Sequence, residues 1–60
     1  MRLMPIKNLP GYFVEIPEEE AKPYHTFYLN KARQLVRQNV LRKKEVCQFP
    51  YRIVPPAEQL

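Results

Sequence analysis

Apolar and polar residues alternate in two short stretches of this chain and recur at helical spacing in a third. The stretch from Gly11 to Ile16 is β-branched and aromatic, and Pro17 closes it. It predicts a strand with Tyr12, Val14 and Ile16 on one face and Phe13 and Glu15 on the other. Upstream, Leu3 to Ile6 predicts a short edge strand, since proline is tolerated at an edge, as Pro5 would be here. The residues from Lys7 to Gly11 then form the turn between the two. From Tyr24 to Lys44 the period lengthens. Ala21, Tyr24, Tyr28, Ala32, Leu35, Val36 and Val40 fall on one side of a helical wheel, which predicts one long amphipathic helix. Between Val46 and Val54 the alternation returns. Cys47, Phe49, Tyr51 and Ile53 share a face, and Pro50 marks the segment as an edge strand or extended arm.

Proline placement supports this division. Pro5, Pro10, Pro17 and Pro23 precede the helical window, and Pro50, Pro55 and Pro56 follow it. Proline lacks a backbone donor and clashes with the preceding helical turn, so a proline-free window is where a helix can run. The acidic run Glu18-Glu19-Glu20 would sit ahead of the helix start, where carboxylates meet unpaired N–H groups. Pro55-Pro56 would end the last strand, leaving residues 55–60 as a frayed tail. The expected fold class is α+β: one long amphipathic helix packed on two or three short strands in β-α-β order, with an N-terminal hairpin as an added element.

Size changes the picture by making this core marginal. A chain of 60 residues is one small domain and buries only about 60 % of its unfolded surface. A single cysteine, Cys47, allows no internal disulfide, and with a single histidine, His25, it cannot fill a four-ligand zinc site. No cofactor or metal is expected, and self-association, as a homo-oligomer, is the expected source of extra stability. The opening Met1-Arg2-Leu3-Met4 is interrupted by Pro5, Lys7 and Asn8, unlike a secretion signal. No stretch approaches the ~20 apolar residues of a membrane span. A cytoplasmic location is expected.

Charge separates the same three segments. Residues 1–23 carry three basic and four acidic side chains. Residues 24–45 carry six basic side chains against Glu45 alone, and residues 46–60 balance Arg52 against Glu58. All of the net +4 therefore belongs to the predicted helix. Catalysis is hard to place, because Cys47 and His25 would sit at opposite ends of that helix and Gly11 is the only glycine. A non-enzymatic accessory or regulatory protein is expected: a subunit, or an inhibitor of the kind phages and plasmids encode. On a helix, Arg33, Arg37, Leu41 and Lys44 would form one continuous strip. With Arg42, Lys43 and Phe27 as aromatic anchor, they are the expected partner-binding residues. A protein partner is expected first. A nucleic acid tracked by the Arg/Lys-rich helix is the alternative. A membrane-surface role conflicts with the core's need for the helix's apolar face.

Overall fold

The computed structural model describes residues 1–59 and corrects the expected fold class. Leu60 lies outside the described residues. The chain is all-β: among the described residues six strands form two antiparallel three-stranded sheets, and the only helical pieces are two short 3-10 turns, Glu18–Glu20 and Pro56–Gln59. There is no long amphipathic helix, and the window assigned to it is a three-stranded meander.

The N-terminal third folds as its alternation predicts. Strand β1 (Arg2–Pro5) pairs antiparallel with β2 (Phe13–Ile16). The turn between them is closed by the Ile6 N–H to the Tyr12 carbonyl at 3.1 Å and the Tyr12 N–H to the Leu9 carbonyl at 3.1 Å. Val14 and Ile16 point into the core and are fully buried. Gly11 has φ +84°, and a Cβ there would lie 3.2 Å from the Pro56 ring. Only glycine fits both the backbone and the space.

Strands β3 (Thr26–Leu29), β4 (Leu35–Gln38) and β5 (Lys44–Val46) make the second sheet, with β4 central. Two asparagines drive these reversals. Asn30 Oδ1 accepts the N–H groups of Ala32 and Gln34, each at 2.9 Å. Nine residues on, Asn39 Oδ1 accepts those of Leu41 at 2.9 Å and Lys43 at 3.1 Å. The backbone bonds repeat as well. Arg33 N–H reaches the Asn30 carbonyl at 3.0 Å, and Arg42 N–H reaches that of Asn39 at 2.9 Å. Each loop is thus a turn followed by a residue in the left-handed region, Arg33 at φ 64° and Arg42 at φ 63°. That pairing of a turn with a G1-type bulge is a common three-residue hairpin connection. An asparagine oxygen that satisfies two backbone donors competes directly with the helical bonding of those donors.

The segment expected as one arm splits in two. Val46 ends β5, and β6 (Arg52–Val54) crosses back to pair with β2. The sheets join where β1 runs out. Lys7 N–H donates to the Phe27 carbonyl at 2.8 Å. The Asn8 carboxamide then clamps the Leu29 backbone, donating to its carbonyl at 2.7 Å and accepting its N–H at 3.0 Å. Ile6, Val14, Ile16, Ala21, Phe27 and Leu35 form the core between the sheets, flanked by Cys47, Phe49 and Ile53. The described part of the expected tail is a 3-10 turn tied to the first hairpin: the Gln59 carboxamide donates to the Gly11 carbonyl at 2.9 Å.

The two left-handed arginines generate a prediction. A side chain with a Cβ costs about 1–2 kcal/mol in that conformation, while glycine costs about 0.5–1 kcal/mol of unfolded-state entropy. Arg33→Gly and Arg42→Gly are each expected to gain about 0.5–1 kcal/mol in urea unfolding. A loss in either variant would contradict the assigned strain.

Candidate functional site

The meander rearranges every residue that the helical reading had grouped. Phe27 lies on the inner face of β3 and is 1 % exposed, so it is part of the core and not a surface anchor. Arg37 pairs in register with Phe27 on one side and Glu45 on the other. Its guanidinium donates to Glu20 at 2.8 Å and to Glu45 through Nε at 2.9 Å and again through a terminal nitrogen. It also stacks 5.6 Å from the Phe49 ring centroid. Burial alone would lower the pKa of this group, but the hydrogen bonds to Glu45 and Glu20 outweigh it and raise the pKa above the ordinary arginine value. Arg37 therefore ties β4 to β5, to the acidic turn and to the β5–β6 link. Its charge is neutralised locally, and it offers little to a partner.

Arg33 and Arg42 to Lys44 stand at opposite ends of the second sheet, because the β3–β4 and β4–β5 turns cap opposite ends of β4. The continuous strip of Arg33, Arg37, Leu41 and Lys44 does not form. Leu41, Arg42, Lys43 and Lys44 do come together, as consecutive exposed residues of the β4–β5 hairpin. Val40 joins them at the apex. Val40 is 71 % exposed and Leu41 73 %, neighbours on a turn where small polar residues are usual.

Ion pairing decides what charge reaches the surface. Arg37 takes Glu20 and Glu45, and Arg52 takes Glu58 at 2.8 Å and Glu15 at 3.6 Å. Of the ten lysines and arginines, the other eight have no carboxylate within ion-pair distance among the described residues. The net positive charge is therefore presented mainly by unpaired side chains, several of them on the two hairpin tips. A shared signal for these tips was present in the chain: an asparagine followed three residues later by an arginine, twice, between β-branched or aromatic runs.

His25 and Cys47 do not meet as a catalytic pair. The His25 ring packs edge-on against Tyr24 at 4.6 Å and Phe27 at 6.3 Å. Its Nδ1 is buried without a hydrogen-bond partner. Cys47 is half-buried against the core, its N–H bonded to the Leu35 carbonyl at 2.9 Å. Burial pushes its thiol up to about 11, with Arg37 opposing and Glu45 and Glu20 adding to the rise. A thiol held protonated is a poor nucleophile. No helix among the described residues is long and apolar enough to cross a membrane. No protein-family model matches the chain, and no curated protein and no solved structure matches it.

The Cys47 environment sets a pH dependence. The folded-state pKa lies above the unfolded value of 9.0, so folding favours the protonated thiol. Its contribution to stability is complete below pH 9.0 and is lost as the pH rises toward about 11. Thiolate absorbance should titrate with a midpoint near 11 in the folded protein. The decline in stability across that window should be shallower in Cys47→Ala. A midpoint at the free-cysteine value would refute the burial.

Proposed function

We propose that this chain is a small non-enzymatic binding module, a subunit or an inhibitor, that engages a protein partner through the β4–β5 hairpin. The exposed pair Val40 and Leu41 carries this reading. The turn is built by the Asn39 side chain and by backbone bonds, so its geometry needs no apolar side chain at either position. Each of these side chains forgoes on the order of 1.5–3 kcal/mol of burial by standing in water. A partner cleft recovers it. The following Arg42, Lys43 and Lys44 select a cleft whose rim is acidic, since complementary charge speeds encounter and fixes orientation. A second copy of this chain has few carboxylates for such a rim: its arginines already hold Glu15, Glu20, Glu45 and Glu58, which leaves Glu18 and Glu19.

Affinity capture from lysate of the native cells, with nuclease present, tests this reading. Wild-type bait should retain partners that Leu41→Ser bait loses, and calorimetry on the purified complex should show a loss of about 2 kcal/mol, the usual hot-spot scale. Stability should be unchanged, because Leu41 packs against nothing in the core. Retention of the same partners by both baits would remove the hairpin from the interface.

Self-association rests on a separate feature. The outer edges of β5 and β6 are unpaired, and free edges template strand addition. Sedimentation equilibrium at micromolar concentration should detect a species heavier than the 7.2 kDa chain. A 7.2 kDa species unchanged on dilution would count against it.

A further inference from the structure

The strand register sorts the second sheet into an inner and an outer face. Phe27, Arg37 and Glu45 share the inner row, as do Leu29 and Leu35. The outer face then carries two rows across the strands: Tyr28, Val36 and Val46, and beside it Thr26, Gln38 and Lys44. Neither row contains a carboxylate. Glu45, the one acidic residue of the sheet, lies on the opposite face, where it is exposed but held by Arg37.

Tyr28 is half-exposed on this face and lies outside the core cluster. Lys44 Nζ stands 5.9 Å from its ring centroid. A trough of about 370 Å³ runs beside the ring, lined by Lys7, Asn8, Tyr28, Gln38 and Lys44. Asn8 is committed to the Leu29 backbone, which leaves two ammonium groups, one aromatic face and one carboxamide facing the trough. Beyond it the hairpin tips extend positive charge in both directions, through Lys31 and Arg33 at one end and Arg42 and Lys43 at the other. The whole molecule measures 34 × 26 × 18 Å.

We propose that this outer face binds single-stranded nucleic acid, with a base stacked on Tyr28 and backbone phosphates held by Lys7 and Lys44. The argument is one of matched chemistry. A polyanion with exposed aromatic bases needs a one-signed groove and a π face, and both are present here. Duplex fits less well, because its bases are already stacked and hidden from Tyr28. A protein partner fits less well too, because Val36 is buried and Val46 alone of the row's aliphatic side chains is exposed. The Gln38 carboxamide can bond to base edges. With one stacking aromatic, recognition tolerates many sequences, and the site spans about four nucleotides, the low end for small β-folds. This proposal rests on the sheet face; it shares Lys44 with the hairpin but makes no use of Val40 or Leu41.

Fluorescence anisotropy with a labelled deoxythymidine dodecamer tests it on the purified protein. Saturable binding is expected, tighter than to a duplex of matched length. Tyr28→Leu keeps the bulk on the sheet while removing the stacking face, and should weaken binding about tenfold or more. Its melting curve guards against loss of fold, and Tyr28→Phe should restore affinity. Lys7→Gln and Lys44→Gln should each lower the salt slope by about 0.7, the single-strand value per phosphate contact. Lys22→Gln, which removes a cation that does not line the trough, controls for overall charge. Absence of saturable binding, or Tyr28→Leu binding like wild type, overturns the proposal.

Discussion

The carboxamide oxygens of Asn30 and Asn39 each hold two backbone N–H groups at a chain reversal, and the second sheet exists because of that pair of contacts. Without them, residues 30–34 and 39–43 would have amide donors free for helical bonding, and the intervening side chains already satisfy a helical wheel. With them, the chain turns twice and lays β3, β4 and β5 side by side. Phe27 and Leu35 then meet Val14 and Ile16 to close the core. The strain at Arg33 and Arg42 is the cost of making these turns without glycine.

The same turns determine where charge goes. A helix would have arrayed the cations along one side. The meander instead folds Arg37 inward, where Glu20 and Glu45 reach it from two different elements, and sends the neighbouring cations out to the tips. Arg52 does similar work on the first sheet with Glu15 and Glu58. Opposite charges are drawn into pairs across strands and between strands and the 3-10 turns, so the surface is left with lysines and arginines that hold no carboxylate of the described residues. Functional potential here is a residue of folding: it is what the ion pairs leave over.

A small core also makes the joints between the sheets matter. Asn8 stands in for a strand residue, bonding the Leu29 backbone through both ends of its side chain, and Gln59 fastens the C-terminal turn to Gly11. Both clasps satisfy backbone groups beyond the strand ladders, Asn8 where the sheets meet and Gln59 at the end of the first sheet. The outer edges of β5 and β6 remain without a strand partner.

The sequence by itself determined the local features at both ends. Alternation bounded by Gly11 and Pro17 specified β2, and Pro5 specified an edge strand before it. The shared face expected of Cys47, Phe49, Tyr51 and Ile53 formed only in part, since Tyr51 is exposed while Val54 is buried. The sequence also located Leu41, Arg42, Lys43 and Lys44 as an exposed basic group, since neighbours in sequence stay neighbours on any backbone. Only the tertiary structure decided the middle. Tyr28-Leu29 and Leu35-Val36 are adjacent apolar pairs because both faces of that sheet carry apolar side chains, and such pairs erase the strand period while fitting the helical one. The two asparagine turns opened the way to strands, and long-range partners held them there: Phe27 against Ile6, Arg37 against Glu20, and Asn8 against Leu29. Those contacts bury Phe27 and consume Arg37, and no local pattern could have announced them.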